Sequence, residues 1–121
     1  MKNNYIKKYS FIIMLTLLIS TASASANNIS WLNYTDGMAK AKAEGKKVYI
    51  HFYADWCHYC KVMAKTTFKD ASVITFLNDK FIPIRVDTVK EKKLARDYLV
   101  RGLPSNWFLE PDGKRIGMKR Y

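Results

Sequence analysis

The chain has 121 residues, of which 49% are hydrophobic, and 21 lysines and arginines against 10 acidic residues give it a net charge of +11. This length suits one small domain. The basic residues are scattered, without the stripe and interleaved aromatic residues that a nucleic-acid surface needs, so nucleic acid is not expected as a partner.

The first predicted element is a secretory signal peptide at residues 1–26. Its basic start contains three lysines, Lys2, Lys7 and Lys8. Its apolar core, 11–19, is too short to span a bilayer comfortably, and small residues allow cleavage after Ala24 or Ala26. Cleavage would leave a domain at 27–121 with a charge of +8, because three lysines and no acidic residue leave. The alternative is an uncleaved membrane anchor.

The mature region opens with a predicted helix and a predicted strand. The helix covers 34–44, with Thr35 or Asp36 as its N-cap and Gly45 as its stop signal. The run 47–53 is β-branched and aromatic, which predicts a buried strand.

The next predicted elements are two helices and a second strand. The two cysteines stand at the end of the first strand and open a helix that reaches about Phe68. Asp70 is the expected N-cap of a further helix. The second strand is predicted at 80–87, and Pro83 within it favours an edge strand or a bulge, because proline lacks a backbone N–H.

The last predicted elements are an amphipathic helix and a hairpin. The helix covers 91–99 and its apolar face consists of Leu94, Ala95, Tyr98 and Leu99. A third strand at 106–109, a turn at 111–114 and a fourth strand at 115–119 follow. A parallel strand pair completed by an antiparallel pair predicts an α/β domain with one central mixed sheet flanked by helices.

Cys57 and Cys60 are the only cysteines, and their spacing brings two thiols within disulfide reach on one turn. Thiol–disulfide exchange needs such an attacking and resolving pair. The pair lies where a strand enters a helix N-terminus, whose N–H groups and dipole stabilise a thiolate. The alternative is a structural disulfide, although so short a loop removes little entropy from the unfolded chain.

These residues and several beyond them resemble the thioredoxin-like family, and most closely its periplasmic thiol:disulfide interchange members. The similarity covers nearly all of 30–121. The matching segments are Phe52-Tyr53-Ala54-Asp55-Trp56-Cys57-His58-Tyr59-Cys60-Lys61, Thr67-Phe68-Lys69-Asp70, Val73, Val86-Asp87 and Val100-Arg101-Gly102-Leu103-Pro104-Ser105. The resemblance implies a thioredoxin-like fold.

The resemblance also implies roles for individual residues. Cys57 would be the nucleophile and Cys60 the resolving cysteine. Pro104 would be a cis proline beside the disulfide, and Leu103 would offer its backbone to an extended substrate. Trp56 would shield the thiols and supply a flat contact surface, with simple core packing as the alternative.

The chain departs from the family at several positions. His51 stands where many members carry a buried acid that accepts a proton from the resolving cysteine. A histidine can serve as such a base, and a hydrogen-bonded core histidine is the alternative. Ala64 replaces an acidic residue of the interchange proteins. The closing helix of the fold is missing after Tyr121, so we expect an exposed sheet face or a partner that covers it.

Three further motif residues are candidates for supporting roles. His58, in its protonated form, would stabilise the Cys57 thiolate and make the pair more oxidising, and a solvent-facing side chain is the alternative. Tyr59 is expected to act in recognition or packing. Lys61 belongs to the matching motif, and its place directly after Cys60 excludes covalent haem attachment, which needs a histidine there.

The leading functional hypothesis is an exported thiol:disulfide oxidoreductase, periplasmic or secreted, that acts on protein thiols and disulfides. It would need no cofactor besides its own disulfide, would be reset by a membrane redox partner, and would touch the membrane only through its signal peptide. One alternative is a Cu(I)-binding module that uses the two thiolates with a histidine. Another is a non-catalytic adaptor. No closed four-ligand metal site is expected.

Overall fold

The computed structural model describes residues 27–121, which contain both helices and strands. The predicted signal peptide and its cleavage sites therefore lie outside the described residues. The elements are α1 (Tyr34–Glu44), β1 (Lys47–Tyr53), α2 (His58–Lys65), a 3-10 turn (Thr67–Lys69), α3 (Ala71–Lys80), β2 (Phe81–Asp87), α4 (Lys92–Asp97), β3 (Ser105–Leu109) and β4 (Arg115–Arg120).

The four strands form one mixed sheet in the order β2-β1-β3-β4, which confirms the predicted topology. β1 runs parallel to β2 and antiparallel to β3, and β3 pairs with β4 through the hairpin. Pro83 lies on the edge strand β2, as predicted, and its carbonyl accepts a 2.9 Å hydrogen bond from the N–H of Leu32. The central strand β1 leads directly to the two cysteines.

Alternation along β1 sends side chains into two cores, one on each face of the sheet. On one face, the cluster contains Ala41 of α1, Tyr98 and the buried apolar residues of the strands, Val48, Ile50, Phe52, Ile82, Ile84, Val86 and Leu109. On the other face, the cluster contains Ile29, Tyr49, Met63, Phe68, Ile74 and Leu77. Helices thus cover both faces of the sheet, and β1 is buried between them.

The predicted N-cap of the first helix is wrong, although its span is confirmed. Asn33 caps α1, and its Oδ1 accepts a 2.8 Å hydrogen bond from the N–H of Asp36. Thr35 and Asp36 already lie inside the first turn. Gly45 ends the helix with φ of 63°, a left-handed conformation that glycine adopts without a steric penalty.

The helix that begins after Cys57 is shorter than predicted. α2 ends at Lys65, and a 3-10 turn carries the chain past Phe68. Asp70 caps α3 as expected, because its side chain accepts hydrogen bonds from the N–H groups of Ser72 and Val73. Lys80, predicted in the second strand, is the last residue of α3.

Leu99 does not lie on the apolar face of α4, where it was predicted. It has a positive φ of 54° and its side chain is exposed. The N–H of Val100 bonds to the carbonyl of Ala95 at 2.9 Å, and the N–H of Leu99 bonds to that of Arg96 at 2.9 Å. This pair of bonds is the Schellman ending of a helix, which turns residue 99 away from the helical period.

All residues of β4 are exposed. Within the described residues, no helix follows β4, as the sequence comparison with the family predicted. Across residues 27–121, every helix is too short or too polar to traverse a lipid bilayer.

Candidate active site

Cys57 and Cys60 form a disulfide between the end of β1 and the first turn of α2. Their Cα atoms are 5.3 Å apart, and both residues are buried, with 4% and 3% of their surface exposed. They form a small cluster with Ala54, against which the side chains of Tyr53 and Leu103 pack. The predicted pair is therefore held closed against the loop that contains Leu103.

Cys57 is also the N-cap of α2, and this position gives its sulfur a hydrogen-bond donor. The N–H of Cys60 donates to Sγ of Cys57 at 3.2 Å. The first N–H groups of a helix have no partner within the helix, so they are available to an anion at the cap. When the disulfide opens, the same N–H group and the helix dipole stabilise negative charge on Cys57.

The loop before β3 brings Leu103 and Pro104 beside the cysteines. The Leu103–Pro104 peptide bond is cis, and Pro104 is buried. β3 then pairs with β1, so that Ser105 lies opposite Phe52. Because β3 starts opposite the end of β1, the loop before β3 lies at the end of β1 that leads to the disulfide.

Trp56 lies on the surface, with 73% of it exposed, so the alternative of core packing is wrong. Together with Leu103 it lines an open groove of about 200 Å³. The other lining residues are Thr88, Ala95, Val100, Arg101 and Gly102. An apolar wall next to the disulfide suits a side chain of an extended peptide.

His51 is buried on β1 and makes a 2.7 Å hydrogen bond from Nδ1 to Oδ1 of Asn106. Burial lowers the pKa of His51 to about 4, with a smaller contribution in the same direction from the charge of Arg85 and an opposing one from the Asn106 hydrogen bond. The imidazole is therefore neutral at pH 7. Its ring stacks parallel to that of Tyr53, with centroids 6.1 Å apart, and Tyr53 packs on the cysteine cluster.

His58, Tyr59 and Lys61 are exposed and lie on the outer side of the motif. The rings of His58 and Tyr59 meet edge to face at 5.3 Å, and Tyr59 stacks on Tyr121 at 4.9 Å. The structure thus brings Cys57, Cys60 and Leu103 together, with Pro104 next to Leu103 in the chain, while His58, Tyr59 and Lys61 are exposed and lie outside this cluster.

Sequence reasoning missed Asn106 as a site residue. It accepts hydrogen bonds from both His51 and Tyr49, and it is buried. The available signal was an amide at the start of the predicted third strand, whose other residues are apolar, since a buried polar side chain needs partners. Thr88 was also missed. Its N–H and Oγ1 both donate to the carbonyl of Tyr53, at 2.9 and 3.1 Å, and fix the end of β1.

A second groove, of about 430 Å³, lies beside His51 on the α2 face of the sheet. Ala64 is among its lining residues, together with Asn28, Ile29, Trp31, Phe68, Lys69 and Arg85. The rings of Trp31 and Phe68 contact that of His51, with centroids 6.0 and 4.8 Å apart. The guanidinium of Arg85 covers Tyr53 at 3.8 Å. The small side chain at residue 64 leaves this space open.

A metal site in the described part of the chain would need a cluster of ligating side chains. Within residues 27–121, no three side chains of His, Cys, Asp or Glu come together in a way that could hold a metal ion. His51 already uses Nδ1 in its bond to Asn106.

The described fold and site match a known family. Residues 34–120 match the sequence model of the thioredoxin-like domain. The chain therefore belongs to the thioredoxin-like family. Family membership and the closed Cys57–Cys60 pair support thiol:disulfide oxidoreductase activity.

The relatives include proteins named thiol:disulfide interchange protein DsbD. That of Pseudomonas fluorescens is 37% identical over 83 residues, which are 66% of this chain and 14% of that protein. That of Colwellia psychrerythraea is 36% identical over 89 residues, which are 70% of this chain and 15% of that protein. The chain thus spans only a small part of the length of these relatives.

Solved structures show the same fold. A DsbH oxidoreductase superposes with a TM-score of 0.72 at 22% identity, over 86% of this chain and 81% of that one. A thioredoxin from Thermus thermophilus superposes with a TM-score of 0.69 at 29% identity, over 76% of this chain and 75% of that one. These matches confirm the predicted thioredoxin-like architecture.

Proposed function

We propose that the chain is an exported thiol:disulfide oxidoreductase that exchanges disulfides with protein substrates through Cys57-His58-Tyr59-Cys60, acting as a reductant or interchange protein. The observation that carries the proposal is the N–H of Cys60 directed at Sγ of Cys57, at the start of α2. This donor and the helix dipole favour the thiolate that attacks a disulfide. The relatives named as interchange proteins support the same chemistry.

The reaction has two exchange steps. The Cys57 thiolate attacks one sulfur of a substrate disulfide, and the other substrate sulfur leaves as a thiolate that takes up a proton. Cys60 then loses its proton and attacks Sγ of Cys57, which releases the second substrate sulfur. Two electrons have passed to the substrate, and the Cys57–Cys60 disulfide has formed. A membrane redox partner would reduce this disulfide and restart the cycle.

The substrate would lie across the loop before β3. An extended segment next to Leu103 can hydrogen-bond its backbone, while Pro104 has no N–H to compete for it. The neighbouring groove, with Trp56 at its wall, would accept an apolar side chain of the substrate. Tyr59 offers a further exposed aromatic surface for recognition.

His51 and His58 would have different roles in this scheme. His51 is buried, neutral and stacked on Tyr53, a side chain that packs on the cysteine cluster, and these properties suit an acceptor for the Cys60 proton. His58 lies directly after Cys57 on the surface, where its protonated form would stabilise the thiolate. The exposed Lys61 adds a positive charge directly after Cys60.

Export is proposed from the sequence of residues 1–26, with its lysines, short apolar core and small-residue cleavage sites. A periplasmic or secreted location would keep the disulfide from reduction by cytosolic thiols. Fractionation of the native host, followed by N-terminal sequencing of the protein, tests this. An exported and cleaved protein starts at Ser25 or Asn27, whereas an anchored one keeps residues 1–26.

The activity is tested with the purified protein and a disulfide-bonded test protein. The reduced protein should reduce the test disulfide faster than an equal concentration of free dithiol. Cys57→Ser should abolish the reaction, and Cys60→Ser should accumulate a mixed disulfide at Cys57 that a non-reducing gel resolves. A wild-type rate equal to that of the free dithiol would contradict the proposal and leave the adaptor or Cu(I)-binding alternatives.

The direction of electron flow is tested by the reduction potential of the pair in glutathione buffers. A value below about −230 mV supports a reductant that a donor keeps charged. A value above about −180 mV indicates an oxidant or isomerase instead.

A further inference from the structure

The side-chain amide of Asn106 joins three buried polar groups of the sheet. Its Oδ1 accepts a 2.8 Å hydrogen bond from the hydroxyl of Tyr49 and lies 2.7 Å from Nδ1 of His51. Its Nδ2 donates a 3.3 Å hydrogen bond to the backbone carbonyl of Lys119 on β4. Strand register places these groups side by side, since Asn106 lies opposite His51 on one side and Lys119 on the other.

The carbonyl of Lys119 decides which way the amide faces. A backbone carbonyl only accepts hydrogen bonds, so the NH₂ group of Asn106 must lie on that side. Rotating the amide by half a turn would place two oxygens against each other and would lose the bond to β4. Oδ1 is therefore held on the side of His51 and Tyr49, where it accepts from both.

The orientation of the amide in turn determines the tautomer of the imidazole. An amide oxygen carries no proton, so His51 must donate to it from Nδ1. A neutral imidazole with its proton on Nδ1 has its lone pair on Nε2. The hydrogen bond to Asn106 therefore uses Nδ1 and leaves the lone pair on Nε2 outside this contact.

We propose that Asn106 is a positioning residue, which holds His51 as the Nδ1–H tautomer and thereby presents Nε2 as the acceptor for the Cys60 proton. This inference rests on the proposed function. The strand β4, although exposed, contributes to this positioning, because the backbone carbonyl of Lys119 orients the Asn106 amide. Tyr49 has a supporting part, since its hydroxyl holds the same oxygen.

The surroundings of His51 fit this role. The proton leaves the sulfur of Cys60 for Nε2 and the thiolate attacks Sγ of Cys57, so that the imidazole carries one positive charge until it returns the proton to solvent. Trp31 and Phe68 contact the imidazole and also line the open groove on the α2 face, so a single layer of side chains lies between His51 and this groove.

The charged and titratable groups around His51 come from several elements. Arg85 faces it from β2 and Lys69 lines the groove from the 3-10 turn, and both oppose a lasting charge on the imidazole. Tyr49 and Tyr53 flank it on β1, and burial raises the pKa of Tyr49, so its hydroxyl stays protonated at neutral pH. Cys60 on α2 is the remaining titratable group, once the disulfide is reduced.

The first test is the tautomer itself, measured on the ¹⁵N-labelled wild-type protein at pH 7. A long-range ¹H–¹⁵N correlation spectrum should show the His51 proton on Nδ1 and a lone pair on Nε2. A proton on Nε2 would overturn the inference. This measurement needs no variant and does not depend on how well a substituted protein folds.

The second test separates the resolving step from the attack. Reduced protein is mixed with oxidised glutathione in a stopped-flow instrument, and release of the second glutathione reports the reaction of Cys60. Asn106→Leu removes the acceptor at nearly constant volume, and we expect this first-order step to slow by about tenfold or more at pH 7. The preceding attack by Cys57 should change little.

Two further variants control for a merely structural effect. Leu109→Val removes a methylene group from the same strand on the opposite face of the sheet, and it should leave the pH profile of the resolving step unchanged. Asn106→Asp keeps an acceptor and adds a negative charge, so the profile should move to higher pH. Equal rates and pH profiles for Asn106→Leu and Leu109→Val would overturn the inference.

The two proposals fail in different ways. If wild-type protein reduces no disulfide, the proposed function fails, whatever the tautomer of His51. If wild-type protein is active while His51 carries its proton on Nε2, only the positioning role of Asn106 fails.

Discussion

The rings of Tyr59 and Tyr121 stack with centroids 4.9 Å apart and planes inclined by 25°. Tyr59 lies between the two cysteines, whereas Tyr121 follows the last strand of the sheet. The contact therefore joins the motif to the edge of the sheet on the side of the exposed strand β4. An aromatic pair of this kind contributes about 0.5–1.5 kcal/mol beyond the area that it buries.

Replacing Tyr121 by alanine should lower the free energy of unfolding by about 1 kcal/mol, because Tyr59 loses its stacking partner. Urea denaturation followed by fluorescence measures this change. Tyr121→Phe keeps the ring and should match the wild type within a few tenths of a kcal/mol. Equal losses for both variants would mean that the hydroxyl group, and not the stacking, holds the contact.

Acid should destabilise the protein through His51. Its pKa falls from the ordinary value of 6.5 to about 4 in the folded chain, so between these values the unfolded state binds more protons than the native state. The contribution of the neutral His51 side chain to the free energy of unfolding is then fully present above pH 6.5 and is lost as the pH falls towards 4. The difference between the two pKa values corresponds to about 3 kcal/mol.

The measurement is the free energy of unfolding in urea at pH 7, 6, 5 and 4. His51→Asn lacks a titrating group at this position, so its curve should be flatter than that of the wild type across this window. Parallel curves for the two proteins would show that another group causes the acid sensitivity.

His58→Ala should make the cysteine pair more reducing. If the protonated imidazole stabilises the Cys57 thiolate as proposed, its removal destabilises the thiolate and with it the reduced state. We expect the reduction potential to fall by about 30 mV, which is equivalent to about 1.4 kcal/mol. Equilibration against glutathione buffers measures it, and Lys65→Ala, on the far end of α2, serves as the charge-matched control. An unchanged or higher potential would contradict the proposed influence of His58.

Gly37→Ala should destabilise the protein, although alanine is the better helix former. A Cβ atom added at Gly37 would collide with the side chain of Ile84, which is fully buried. Overpacking of this kind costs about 1–3 kcal/mol, which exceeds the gain of about 1 kcal/mol in helix propensity. Gly117→Ala meets open space and should cost much less. Thermal unfolding of both variants tests this difference, and an equal melting temperature would show that Ile84 yields.

Much of the fold could be predicted because local patterns and tertiary packing agree. The run 47–53 is β-branched and aromatic and becomes the central strand, and Gly45 ends the preceding helix in a left-handed conformation. The disulfide between Cys57 and Cys60 follows from their spacing at a strand–helix junction. In each case a short segment contains the whole physical reason for its structure.

Other features depend on contacts between distant segments. Asn33, Thr35 and Asp36 could all cap α1 by residue type. Asn33 is the cap because Leu32 pairs with β2 and the helix begins directly after this pairing. Leu99 leaves the apolar face of its helix because the hydrogen bonds that end α4 impose a left-handed residue. The importance of Asn106 appears only when β1, β3 and β4 are set in register.

The exposed strand β4 has a consequence for how copies of this protein meet. Within the described residues β4 is an outer strand of the sheet. An outer strand is a template for pairing with another chain, and such pairing leads to aggregation. Here the strand and its turn carry four cations, Lys114, Arg115, Lys119 and Arg120. Two such edges repel each other at low ionic strength, so these four cations oppose pairing between the β4 strands of two copies, and salt weakens that repulsion.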